Sequence, residues 1–425
     1  MASFPTPGKQ YTVVPGDVMY DIATRAYGDP TKWPIIWKAN SKTMRSTDPN
    51  LIYPGEVIFI PPDPTKQAVV QQAQANRYAK KPLLSATMVL DGLEVPVLNA
   101  RLNRSVDTMA DSFVCEIPWT SGLDAELDKR VAPFSYAPCQ VYLGPNLALT
   151  GRVYNITAEK TDSGIRKTLE CFTKTVDLID STVPPPYFYQ AAYFDSIVKS
   201  VLPPFGLSAS FPQGRGAYFE FGVEAKSSET AAKFLNRLAF QSGQIMANDV
   251  YGNLVFNTAK ALSLLPPVGT LNESEPWGQN LKINFEGRTR FNVYKALGWE
   301  GDGAPVISIA KDPVVPVSRF VTFVVDDNDP GNTKTTAAWK RSKQLIKTLT
   351  IPIPLAGWYN PQGNLWAPGQ MVNVISATLH CPNGFPFMIR ETEHTMEDGG
   401  FACTLHLVPA QALTGEDLKE PWVVK

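Results

Sequence analysis

Residues able to serve as nucleophile, general base or metal ligand are few in this chain, and they are scattered. Three of the 425 residues are His (380, 394 and 406) and five are Cys (115, 139, 171, 381 and 403). A thiolate–imidazole pair needs both side chains on one face and within reach of each other. His380 and Cys381 are adjacent, and strand neighbours point to opposite faces. Cys403 and His406, three apart, also face opposite ways, with His394 the other imidazole of this stretch. No His-Glu-x-x-His run and no Cys pair at zinc spacing occurs. Five well-separated Cys make no disulfide framework and read as buried free thiols of a reducing cytosol. A glycosidase needs two carboxylates about 5–10 Å apart, and no helix carries a Glu in a lysozyme-like context. Gly243 and its neighbours form no phosphate loop. No complete catalytic pattern emerges, and the expectation is a protein that is not an enzyme and uses no metal or cofactor.

Composition narrows the classes further. Lys and Arg total 39 and Asp and Glu 40, a net charge of −1. So even a balance argues against nucleic acid or an anionic membrane as the main ligand, and it suits copies packed into an assembly. A hydrophobic fraction of 44% with 19% charge supplies several packed cores. The 37 prolines cluster at element edges, as in β-rich chains. The opening MASFPTPGKQ has no apolar stretch, so no signal peptide is expected, and no run of about 18 apolar residues exists to span a membrane.

The elements follow from periodicity and punctuation. Residues 10–61 read as strand (Tyr11–Val14), helix (Met19–Tyr27, stopped at Gly28-Asp29-Pro30), helix (Trp33–Asn40) and strand (Val57–Ile60). Pro61, Pro62 and Pro64 break the chain, and residues 63–82 read as a polar linker with helical propensity. Residues 83–182 carry six alternating segments, at 86–90, 95–98, 113–117, 140–143, 148–154 and 167–172, which predict a small barrel or sandwich. Pro184-Pro185-Pro186 opens an α+β insert over 183–265. Its first helix buries Phe194, Ile197, Val198 and Val201; its second buries Phe234, Leu235, Leu238 and Ala239; a hairpin follows around Tyr251-Gly252-Asn253. Residues 266–425 return to β texture, with strands at 280–285, 292–299, 369–374, 387–391 and 401–407 and one basic helix over 336–348. Trp299, Trp339, Trp358 and Trp366 are candidate interface aromatics, core burial being the commoner fate of a Trp, and Lys334, Lys340, Arg341, Lys343 and Lys347 form a basic run that is either a solvated face, a contact for acidic neighbours, or the lining of a lumen.

Two resemblances give these elements a function. Residues 1–62 carry Tyr-Thr-Val-x-Pro-Gly-Asp, Asp21-Ile22-Ala23, Tyr27-Gly28-Asp29, Trp33, Ala39-Asn40, Asp48-Pro49-Asn50-x-Ile52-x-Pro54-Gly55 and Ile58-x-Ile60-Pro61. In order and spacing this resembles a LysM domain. The resemblance implies binding of N-acetylglucosamine polymers such as peptidoglycan in a shallow groove, lined here by Gly16, Asp17, Val18 and Met19 on one wall and Asn50, Leu51, Ile52 and Tyr53 on the other. Val18-Met19 stands where the family has Thr-Leu, which removes a hydroxyl from the wall.

The remainder resembles the baseplate hub proteins of contractile-tailed phages, the Mu-like tail protein and late control protein D group, and the hub part of type VI secretion spike proteins. The resemblance rests on Glu229–Ala239 leading through Gly243 to Asp249-x-x-Gly252-Asn253-Leu254, on Gly363-Asn364-Leu365-Trp366-Ala367-Pro368-Gly369, and on Phe387–Glu391 with Gly399-Gly400-Phe401 and Leu405-x-Leu407-x-Pro409. It implies a homotrimeric, pseudo-six-fold ring that joins the tail tube, or a tube-initiator protein, to a central spike. Wedge proteins would be further partners, and DNA would pass through the ring without stable binding. The implied location is the virion tail baseplate, assembled in the host cytoplasm. The expected fold class is multidomain: a βααβ LysM fold, then two mostly β, barrel-like domains separated by a small α+β insert, the second β-domain carrying the helical insertion. The competing readings are a LysM-anchored cell-wall-binding protein and a peptidoglycan hydrolase.

Overall fold

The computed structural model describes residues 4–61, 84–161, 164–220, 222–276, 281–299, 305–324, 330–397, 400–417 and 419–422. The expected linker over 63–82 lies outside the described residues. The chain divides into two compact units, one up to Lys80 and one from Lys81 onward.

The first unit is built from β1 (Lys9–Thr12), α1 (Met19–Tyr27), α2 (Trp33–Asn40) and β2 (Val57–Ile60), with β1 and β2 antiparallel from Lys9↔Ile60 to Thr12↔Val57. Alternation in β2 sends Ile58 and Ile60 inward to meet Tyr11, Ile22, Ala23 and Ile36, all at most 1% exposed. Gly28, in the left-handed region at φ 73°, ends α1 and donates its N–H to the Thr24 carbonyl. Buried Asn40 locks α2 to the sheet edge: its amide donates to the Phe59 carbonyl (2.7 Å), and its Oδ1 accepts the Phe59 N–H (2.8 Å). A side-chain amide thus replaces a missing strand partner.

The second unit is mostly β. Its strands are β3 (Ala86–Leu90), β4 (Leu93–Pro96), β5 (Asn99–Ser105), β6 (Ser112–Ile117), β7 (Pro138–Leu143), β8 (Asn146–Thr161) and β9 (Gly164–Thr173). An α+β region follows, with α3 (Phe194–Val201), α4 (Ala231–Gln241), β10 (Ile245–Asn248) and β11 (Leu254–Asn257). Then come β12 (Thr270–Asn272), β13 (Val293–Trp299), β14 (Pro305–Lys311), β15 (Phe320–Val324), α5 (Pro330–Thr348), β16 (Pro352–Ala356), β17 (Met371–Ser376), β18 (Cys381–Glu397) and β19 (Gly400–Pro409).

Strands from before and after the α+β region form one twelve-stranded sheet, ordered β12-β17-β18-β5-β6-β9-β8-β7-β3-β4, with β19 on β18 and β16 on β19. The junction is the antiparallel pair β5–β18, from Glu391↔Ser105 to Met396↔Ala100. A separate sheet, β14-β13-β15, packs Tyr294, Ala296 and Ala310 against Ala337 of α5. The α+β region has its own core, in which Phe194, Ile197, Val198, Val201, Phe234, Leu235, Leu238 and Ala239 are all at most 1% exposed, the faces that helical spacing picks out.

Three sequence expectations shift. The strand read at 280–285 is confined to Asn284–Phe285, with 281–283 irregular, so alternation there reflects no long ladder. The helix read at 336–348 begins at Pro330. Sequence periodicity marks no strand at β5, β14, β15 or β16; in the Asn-Ala-Arg-Leu-Asn-Arg-Ser of β5 only Ala100 and Leu102 are apolar, and both are buried.

Gly151 shows how close the strands lie. A Cβ there would fall 1.8 Å from the Phe172 carbonyl oxygen, a backbone atom that cannot rotate away. Gly151→Ala is expected to cost roughly 1–3 kcal/mol by overpacking, a fall of about 2–4 °C in the unit's melting temperature by calorimetry. Gly287→Ala, with no atom within 4 Å of its Cβ position, is the control and leaves melting unchanged.

Candidate functional site

The loops after β1 and before β2 are held side by side by backbone hydrogen bonds. Val13 N–H donates to the Glu56 carbonyl and Gly55 N–H to the Val13 carbonyl, both at 2.8 Å. Gly16 turns the first loop with φ 91°, where a side chain would be strained. Asp17 fastens it: its carboxylate accepts from the Tyr11 hydroxyl (2.7 Å) and the Val14 N–H (2.9 Å) and pairs with Arg25. Burial alone would raise the Asp17 pKa, but these three donors outweigh it and hold the acid below its ordinary range. Glu56 fastens the second loop by accepting the Arg45 N–H (2.8 Å) and the Tyr53 N–H (2.9 Å).

The eight residues expected to line a groove therefore divide. Val18, Leu51 and Tyr53 present exposed apolar side chains, Asn50 is exposed, and Ile52 is half-buried against the core. Met19 is buried in that core. Asp17 spends its carboxylate inside the loop, leaving only its backbone to a ligand. Asn50 donates its N–H and its side-chain amide to Asp48, which sets the turn. The arrangement is two rigid loops offering backbone polar groups and exposed apolar side chains, chemistry suited to an N-acetylated sugar chain.

The Cys and His residues are placed otherwise. All five cysteines are buried and free. Cys403 and His394 are direct cross-strand partners between β18 and β19, so they share a face. A reactive pair needs a lowered thiol and a raised imidazole. Here burial pushes the Cys403 thiol up, while burial and the Arg104 charge pull His394 down to about 3. The pair is a neutral thiol beside a neutral imidazole in the core. His380 is exposed in a turn at φ 53°, while Cys381 is buried and donates to the Val374 carbonyl. Among the described residues, no three His, Cys, Asp or Glu gather as a metal would require.

Trp339, Trp358 and Trp366 lie in the core at 4%, 1% and 2% exposure, so their reading as interface aromatics gives way to packing. The basic run also divides. Arg341 is structural, donating to the Lys311 and Glu416 carbonyls and pairing with Asp417. Lys340, Lys343 and Lys347 face a groove to which Lys233, Arg237 and Arg390 come from other elements. Sequence spacing on one helix gave no sign of those three.

Residues 11–61 match the sequence model of the LysM domain, and residues 175–258 that of the baseplate hub protein gp44-like second domain. The baseplate hub protein gp44 of Escherichia phage Mu is 24% identical over 294 residues, covering 64% of this chain and 74% of that protein. The 43 kDa tail protein of prophage MuSo2 from Shewanella oneidensis has the same fold at a TM-score of 0.64, with 20% identity over 77% of this chain and 99% of its own. The tail protein from Neisseria meningitidis MC58 gives 0.64 with 19% identity, over 76% and 95%. The chain thus matches the LysM model over its first unit and the gp44-like second-domain model over the α+β region.

Asp17→Asn is expected to loosen the first unit by about 1.5–3 kcal/mol, the usual loss for a charged hydrogen-bonded group. Hydrogen exchange over residues 9–28 of the full chain should then quicken at least tenfold. Because the Asp17 pKa is depressed, its contribution is full above the ordinary value of 3.8 and is lost as pH falls through the folded value. His394 acts over a higher window. Its pKa is 6.5 when free and about 3 when folded, so the unfolded chain takes up the proton first and stability falls below pH 6.5. The slope reaches at most about 1.4 kcal/mol per pH unit. Between pH 7 and 4.5, His394→Leu should lose less stability to urea than the parent; equal losses would place the titrating group elsewhere.

Proposed function

We propose that this chain is a baseplate hub of a phage tail or of a related contractile injection machine. Three copies would form a ring in which the β regions before and after the gp44-like domain alternate. That makes the ring pseudo-six-fold, matching a six-fold tail tube on one side and a three-fold spike on the other. The observation that carries the reading is the gp44-like match falling on the one α+β region that interrupts a continuous twelve-stranded sheet. The sheet ends at β4, β12 and β16, and closure into a ring is one way to cover such edges. The relatives are named for baseplate and tail parts, and the buried thiols and low imidazole pKa agree with a structural rather than a catalytic role.

The LysM unit is assigned contact with peptidoglycan through Gly16, Asp17, Val18 and Met19 and Asn50, Leu51, Ile52 and Tyr53. In this assignment Val18, Leu51 and Tyr53 cover the sugar faces, while the Gly16 backbone and the Asp17 and Asn50 carbonyls meet the N-acetyl groups. Met19 and Ile52 hold those loops from beneath. The alternative role for the same fold is packing within the baseplate.

Light scattering on the purified full chain is expected to give three times the mass of one chain; a monomer persisting at high concentration would overturn the ring. The full chain should also sediment with insoluble peptidoglycan, and Leu51→Ala with Tyr53→Ala should cut the bound fraction at least fivefold. Unchanged retention would return the LysM unit to a packing role.

A further inference from the structure

Two adjoining hollows, of about 330 and 440 Å³, run between α4 and α5 and share Phe240, Thr336 and Lys343. Among the described residues, six cations line them (Lys233, Arg237, Lys340, Lys343, Lys347 and Arg390) against one acid, Asp107. They come from α4, α5 and β18, so tertiary folding, and not one solvated helix face, gathers them. Arg390 is the extra residue of a bulge in β18, between the register pairs Ile389↔Leu407 and Glu391↔His406. Bulges of this kind re-aim a side chain.

The two guanidinium groups are already committed. Arg237 is bound to both oxygens of Glu229, and Arg390 to Asp107. Among the described residues Lys340, Lys343 and Lys347 have no carboxylate partner; Lys343 and Lys340 lie 5.6 Å from the ring centres of Phe240 and Phe323. Half-buried Lys343 is held below the ordinary lysine range by burial first, then by Arg390, Lys340 and Lys347, with Asp107 opposing. An arriving anion would relieve that repulsion.

We propose that this groove binds an acidic peptide segment of a partner protein, carboxylates meeting Lys340, Lys343 and Lys347 and apolar side chains meeting Phe240, Phe323 and Ile346. A phosphate polymer fits less well. Forked guanidinium contacts, the strong phosphate geometry, are used up internally by Glu229 and Asp107. The groove lies within the second unit, and the inference stands whether or not the ring reading does.

The test is fluorescence anisotropy on the full chain at low ionic strength, with a fluorescein-labelled peptide of repeated Glu-Glu-Leu as probe and single-stranded oligothymidylate of equal charge as comparison. Saturable peptide binding is expected. It should weaken at least tenfold in Lys340→Gln/Lys343→Met/Lys347→Gln and stay unchanged in Lys9→Gln/Lys42→Gln/Lys160→Gln, with equal melting temperatures certifying the fold of both variants. No saturable binding, or equal weakening in both variants, overturns the proposal. Tighter binding of oligothymidylate, lost with the same three lysines, overturns it in favour of nucleic acid. Peptide binding that appears only once Asp326, Asp327 and Asp329 are changed to Asn overturns it in favour of the chain's own acids.

Discussion

The second unit depends on one strand pairing. β5 and β18 run antiparallel over six residue pairs, and through them two β regions far apart in sequence share one sheet. The seam continues past the ladder. Val106 N–H donates to the Arg390 carbonyl at 2.9 Å, and the Ser105 hydroxyl donates to the same oxygen at 3.3 Å. Arg390 then reaches Asp107 at 3.1 Å. Without this pairing each region would present long unpaired edges, which soluble proteins avoid. The α+β region is therefore an insertion into a finished sheet and brings its own core.

The bulge at Arg390 ties this seam to the surface. By adding one residue to β18 it shifts the register and lets the Arg390 side chain meet Asp107 at the wall of the basic groove. The same device serves the sheet and the charge distribution. In the first unit Asp17 plays a comparable part. A carboxylate at a loop tip looks from sequence like a ligand contact, yet three donors hold it inward, and what the loop offers outward is backbone and apolar surface.

Much of this was legible in advance. The strand–helix–helix–strand order of the first unit follows from turn residues and spacing that local physics fixes. So do the buried faces of α3 and α4, where four apolar residues recur at helical intervals on each. Short apolar strands such as β6 and β7 alternate plainly. β5 was hidden because an edge-to-edge joint needs few apolar residues: Ala100 and Leu102 face the core, and Arg101 on the other face pairs with Glu393 of β18. Its partner lies near the other end of the chain, where no window of sequence can see it. The tryptophans read two ways from sequence, since a large aromatic signals burial without saying against what. Half of the groove was visible as a basic helix. Separating Arg341 from its neighbours took the Glu416 and Lys311 carbonyls, which only folding brings near.

The Ser105–Arg390 contact joins residues 285 positions apart. A ribosome must therefore release nearly all of the polypeptide before β5 can find β18. Until then the strands from β3 to β9 wait with an open edge, while the first unit, whose β1–β2 pairing and core come from its own short stretch, can already be complete. High sequence separation of this kind slows folding and prolongs exposure of unpaired strands. The seam thus sets a clock: its closure reports that synthesis has reached the C-terminal strands, and a truncated chain lacking β18 would lack the partner that seals its own N-terminal sheet.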